Sequence, residues 1–149
     1  MAERIGKDRH KPAGQWVQTT MVESVVGVQY RRADAQAFVS AVRKAEQKGL
    51  VYGLQLEHRP NNPKDPNAIA VFGVAERKGW FKVGVKEWLV GYLNRDLAAE
   101  LVRDLLGRGT PVAAELYEIY IGDTEFIDIK LIVLAPPGHS MKKRLAGQR

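Results

Sequence analysis

The segment Arg59 to Ala68, RPNNPKDPNA, sets prolines at 60, 63 and 66, and no other feature of the chain restricts its folding as strongly. Proline fixes its own φ and pushes the preceding residue toward extended geometry, so this loop has few conformations. The side chains of Asn61, Asn62, Asp65 and Asn67 can close turns by bonding to nearby amides. Before the loop, LVYGLQLEHR alternates as a strand, with Leu54 and Leu56 on one face and Gln55 and Glu57 on the other. After it, AIAVFGV reads as a second strand, so the stiff segment links two strands.

The flanking segments extend this β pattern. MVESVVGVQYRR is rich in β-branched residues and predicts a first strand over 22–30, in which Gly27 marks a bend or a close approach. DAQAFVSAVRKAEQKG predicts an amphipathic helix with Ala37, Phe38, Ala41, Val42 and Ala45 on one face, Asp34 as N-cap and Gly49 as stop. Glu76 to Gly79 reads as a hairpin tip, with WFKVGV and WLVGYL following as one interrupted strand or two short ones. Asn94 caps a second helix whose apolar face runs through Leu97, Ala98, Leu101, Val102, Leu105 and Leu106 until Gly107 and Gly109. VAAELYEIYIG and EFIDIKLIVLA then form a hairpin through Gly122 and Asp123.

Regular βαβ alternation is missing, which excludes a doubly wound sheet. The expected fold class is mainly β: a small OB-like antiparallel β-barrel of about six strands with two inserted α-helices, closed to protect its edges. The expected organisation is a disordered basic tail over 1–20, a barrel domain over 21–135 and a second disordered basic tail over 136–149. Residues 1–20 hold four bases and two acids, and residues 136–149 hold Lys142, Lys143, Arg144 and Arg149 with no acid, while residues 21–135 are neutral. Within that neutral part, residues 21–111 carry an excess of four positive charges and residues 112–135 of four negative ones, so an acidic ligand prefers the first surface.

There is no cysteine, which removes thiol nucleophiles, disulfides and Cys-based zinc sites. His10 and His139 fall in the tails and His58 stands alone on a strand, so no metal site, catalytic triad or cofactor is expected. No window approaches the roughly 18 apolar residues of a membrane helix, and the N-terminus lacks an apolar signal core, so a cytoplasmic chain without a membrane partner is expected. Trp16, Trp80 and Trp88 are expected as core or hairpin cover.

Three blocks, VVGVQYR at 25–31, RPNNPKDPNAIAV at 59–71 and VGYLNRDLA at 90–98, together resemble the HIRAN domain in kind, order and placement over roughly residues 22–135. That family has a strand ending in Gly-x-x-Tyr, a loop of the type Asn-Pro-x-Asp-x-Asn-Ala-Ile, and a Val-Gly-x-Leu segment entering a helix. The resemblance implies an OB-like barrel that binds single-stranded DNA and captures a free 3′ end. Asp65 would then correspond to the acid that accepts a hydrogen bond from the 3′-hydroxyl, with Asn62 lining the same pocket. Tyr30 would match an aromatic that stacks on a terminal base, and Tyr92 and Arg95 a polar ring and a basic group near the phosphates. Lys64 stands where members can carry a second stacking tyrosine, and Gln29 where an arginine contacts phosphate, so one aromatic and one charge are exchanged for a lysine.

The resemblance implies a non-catalytic module that binds single-stranded DNA or DNA ends beside a helicase or nuclease partner. The rival readings are a protein-interaction module that keeps the barrel without binding DNA, and a metal-dependent nuclease built on Asp123, Glu125, Asp128 and Lys130. The loop itself reads either as a plain structural turn or as a pre-organised holder for Asp65 and Asn62. No Gly-x-x-x-x-Gly-Lys-Ser/Thr loop is present to cradle a nucleotide.

Overall fold

The computed structural model describes residues 2–5, 12–79 and 82–147. Its strands are β1 (Glu3–Ile5), β2 (Val17–Gln18), β3 (Glu23–Ser24), β4 (Tyr52–His58), β5 (Ile69–Lys78), β6 (Val83–Tyr92), β7 (Ala113–Ile121) and β8 (Ile127–Ala135). Its helices are α1 (Arg32–Lys48), α2 (Arg95–Asp104) and α3 (Met141–Ala146). The chain is mainly β, and every strand pair is antiparallel.

The proline-rich loop does join two strands. β4 pairs with β5 from Tyr52↔Ala75 to His58↔Ile69, and β5 pairs in turn with β6. A bulge opposite Val71 and Phe72 leaves Val90 as the extra residue of β6, fully buried. The second sheet runs β1-β7-β8-β2, with β3 also on β8. β2 and β3 are two parts of one edge: between them the Thr19 amide donates to Val133 O at 2.9 Å, and the buried Thr20 hydroxyl accepts from the Val133 amide at 3.1 Å. A side-chain oxygen thus replaces the missing ladder bond, as a buried amide requires.

Among the described residues one isolated backbone bridge joins the sheets. Val25 still donates to Ile129 O at 2.8 Å, whereas Val26 exchanges bonds of 2.8 and 3.0 Å with Tyr92 at the end of β6. The approach depends on Gly91, where a Cβ would sit 2.4 Å from Val26 O. No other residue type fits there without moving one strand.

Helix α1 covers the β4-β5-β6 sheet. Its buried face is Ala35, Phe38, Val39, Val42 and Ala45, and the Phe38 ring lies over Gly73, whose added Cβ would come within 2.5 Å of it. Burying such a side chain contributes roughly 1.5–3 kcal/mol. The helix starts two residues before the expected Asp34 cap, with Arg31 at the N-cap and no side-chain bond there, and ends as expected at Gly49 with φ 67°. Asn94 caps α2 by accepting from the Asp96 and Leu97 amides at 2.9 and 3.3 Å. The Gly122 amide donates to Phe126 O at 2.7 Å and closes the β7–β8 turn.

Several expectations are corrected. The predicted strand over 22–30 stops early, because Gly27, at φ 82°, turns the chain into a 3₁₀ turn over Val28–Arg31 that holds Tyr30. There are eight strands and three helices among the described residues, not six and two. The ends are also built into the fold: β1 pairs with β7, β2 with β8, and α3 docks through Arg144. The Arg144 guanidinium, 4% exposed, donates to Thr19 O and Oγ1, to Asp104 Oδ2 at 3.0 Å and to Glu100 Oε1. A charge at this burial is tolerated because every side of it is paired. Trp88 packs against the core as expected, Trp16 donates to Ala13 O at 2.9 Å, and Trp80 and His10 lie outside the described residues. No helix among the described residues is long and apolar enough to cross a membrane.

Candidate nucleic-acid interface

The loop between β4 and β5 is closed by its own backbone. The Arg59 amide donates to Ala68 O, the Asn62 amide to Arg59 O and the Ala68 amide to Asp65 O, all at 2.8–3.0 Å. Side chains complete it: Asn62 Oδ1 accepts from the Lys64 and Asp65 amides at 3.0 and 3.2 Å, and Asp65 Oδ1 accepts from the Asn67 amide at 3.0 Å. His58 Nε2 lies 2.9 Å from Pro66 O, and since a carbonyl only accepts, Nε2 is the donor in this bond. Prolines and turn bonds together leave the loop little freedom to lose on binding.

This rigidity has a direct result for Asp65. Its Oδ1 is occupied by an amide, while Oδ2 lies 4.0 Å from Arg95 Nε at the start of α2. The Asp65 side chain is 22% exposed and that of Arg95 81%, so the carboxylate is held and partly covered while the guanidinium reaches into solvent. Leu93 donates to Ile69 O at 3.0 Å, which fixes the start of α2 beside the loop.

A cavity of about 380 Å³ opens on the same loop, lined by Asn62 and Tyr92 together with Glu57, His58, Arg59 and Pro63. Of the six residues expected at the site, Asn62 and Tyr92 line this cavity, and Asp65 and Arg95 pair through the same loop and helix start. Lys64 is exposed on the loop. Tyr30 is 86% exposed on the 3₁₀ turn that follows the Val26–Tyr92 bridge, which leaves its ring free of the core. Gln29 stands exposed on the same turn.

Arg59 and Glu57 were missed. Alternation puts them on one face of the β4 end, where Arg59 Nε is 3.4 Å from Glu57 Oε1 and the guanidinium lies 5.5 Å from the centre of the Phe72 ring. The signal was present in the Glu-x-Arg spacing directly before Pro60. The helix N-terminus is partly spent, since Asn94 already serves the first amides and Asp96 adds a negative charge to the first turn.

The acidic hairpin is laid out differently. Glu118 pairs with Arg4 at 2.6 Å, and Asp128 lies 3.9 Å from Lys130 on the face away from the buried Ile129. Among the described residues no three His, Asp or Glu side chains converge to hold a metal ion. No family model, no curated protein and no solved structure matches the chain.

Proposed function

We propose that this protein is a non-catalytic module that binds single-stranded DNA and prefers a free 3′-hydroxyl end, working as an accessory beside a helicase or nuclease. In this reading the two sheets, joined at Val26–Tyr92 and packed where β4 lies against β7, are the two halves of a small OB-like barrel. The observation that carries the proposal is the half-engaged Asp65 carboxylate. An amide holds Oδ1, Oδ2 lies 4.0 Å from Arg95 Nε, and the Asn62 and Tyr92 cavity opens on the same loop.

The chemistry follows from that arrangement. A carboxylate accepts a hydrogen bond from a hydroxyl and repels a phosphate, so an end carrying a hydroxyl is favoured over a phosphorylated end or a continuing strand. In this reading Arg95 and Lys64, both exposed, meet the preceding phosphates. Tyr30 offers an open aromatic face for a terminal base, an interaction worth roughly 1–3 kcal/mol. The stiff loop keeps the ordering cost of binding low.

The test is fluorescence-anisotropy binding of a short single strand ending in a 3′-hydroxyl against the same strand ending in a 3′-phosphate, for the wild type and Asp65→Ala. Tighter binding of the hydroxyl end that disappears in the variant is the expected result. Equal binding of both ends by the wild type refutes end recognition. No binding at low salt, where phosphate contacts are strongest, makes the protein-interaction reading the better one.

A further inference from the structure

A second cavity, of about 320 Å³, lies at the far end of the β5–β6 hairpin under α1. Strand alternation explains why it exists. Gly73, Ala75 and Arg77 of β5 share one face and pair with Trp88, Lys86 and Gly84 of β6. Phe38 fills the space above Gly73, and beyond it α1 offers the cavity the small side chains of Ala37, Ser40, Ala41 and Ala45 beside its two lysines, so a trough opens between the sheet and α1.

The walls of the trough are basic. Lys44 and Lys48 line it from one face of α1, four residues apart, and Arg77, Lys78 and Lys86 line it from the hairpin. Lys86 Nζ sits 5.4 Å from the centre of the Trp88 ring, which forms part of the lining. The one acid, Glu76, is already engaged, because its carboxylate accepts from the Val51 amide at 2.6 Å. Among the described residues none of the five cations has an ion-pair partner. All five are exposed, so water screens their mutual repulsion, and with only Glu76 opposite them they present a net positive surface that an anionic ligand can occupy.

We propose that this trough is a second nucleic-acid contact, taking the backbone phosphates of a single strand whose end is held at the proline-rich loop. This rests on the proposed function. The two sites lie at opposite ends of the same two strands: β5 has ten residues, a length of about 30 Å at roughly 3.3 Å per residue. Glu57 and Tyr92 at the loop and Arg77, Lys86 and Trp88 at the trough lie on opposite faces of the sheet, so a strand whose end is held at Asp65 crosses an edge of the sheet and reaches the trough several nucleotides later. The loop reads the end, and the trough holds the continuing backbone without reading bases.

The experiment compares the wild type with a Lys44→Gln, Lys48→Gln, Lys78→Gln triple variant, all three residues being exposed. Two oligonucleotides are used, of about 6 and about 20 nucleotides, one within and one beyond the roughly 4–16 nucleotides one OB fold covers. The long one carries a 3′-phosphate, so the end site is not read. Each phosphate contact on a single strand contributes about 0.7 to the slope of log affinity against log salt, so three lost contacts lower the slope by about 2. Between 50 and 200 mM salt the wild type then loses about 20-fold more affinity for the long strand than the variant does.

The short strand with a 3′-hydroxyl should bind both proteins equally, and Asp65→Ala should leave the long 3′-phosphate strand unaffected. If hydroxyl preference on the short strand is absent while the slope difference persists, end recognition fails and the trough stands. An unchanged slope in the triple variant overturns the trough. Polyglutamate of equal charge should bind more weakly than the long strand; equal binding overturns the assignment to nucleic acid.

Discussion

Arg144→Met tests the least expected part of the fold, the docking of α3. Methionine keeps a long apolar stem and removes only the charge and the donors. The wild-type guanidinium is 4% exposed and donates to Thr19, Asp104 and Glu100, so its loss leaves the Asp104 carboxylate, 8% exposed, without one of its partners. Breaking a buried ion pair from one side costs about 3–5 kcal/mol. Arg103 still donates to Asp104 at 2.9 Å, and Glu100 is 30% exposed and can recover water, so the lower end applies, about 3 kcal/mol. With a urea slope of about 2 kcal/mol/M, the unfolding midpoint should fall by about 1.5 M. Lys143→Met, on the exposed face of the same helix, should stay within about 0.5 kcal/mol. If the Arg144→Met midpoint lies within about 0.3 M of the wild type, α3 is not docked and the reasoning is refuted.

Gly91→Ala places a Cβ 2.4 Å from Val26 O, so the bridge between the sheets must open; a loss of about 1–3 kcal/mol in urea unfolding is expected, together with weaker binding of short single strands. Gly73→Ala drives a methyl into the Phe38 ring, and a comparable loss is expected by thermal unfolding but with hydroxyl-end preference kept, because Gly73 lies away from the loop. Asn94→Ala removes the acceptor for two α2 amides, and about 1 kcal/mol should be lost in denaturant titration, with a measurable effect on binding since Arg95 follows directly.

What could be read in the sequence was local. Asn94 and Gly49 act through bonds to residues a few positions away, and the Gly122–Asp123 turn and the proline-rich loop are likewise closed within themselves. Pairings across long separations were not legible. Nothing in residues 3–5 announces that they pair with 119–121, and a strand of three residues has no period to detect. Tyr30 was placed on a strand because β-branched residues precede it; the positive φ of Gly27 overrides that propensity. Arg144 looked like one more tail charge because its partners, Glu100 and Asp104, lie on another helix. Of the candidate site, the loop residues share one short stretch and are legible together, whereas the Glu-x-Arg spacing of Glu57 and Arg59 gains meaning only from the cavity that both residues line. The trough depends on the register of β5 against β6, which sets Gly73 and Ala75 opposite Trp88 and Lys86.

The most direct measurement of the central claim is the Asn67 amide resonance of the isotope-labelled protein, titrated with a short single strand ending in either a 3′-hydroxyl or a 3′-phosphate. That amide donates to Asp65 Oδ1, so it reports any new bond to the carboxylate. The expected result is a shift at Asn67, with Asn62 and Tyr92 moving alongside it, for the hydroxyl end and little change for the phosphate end. Equal shifts with both ends, or shifts confined to other surfaces while Asn67 stays still, would contradict capture of the 3′ end by Asp65.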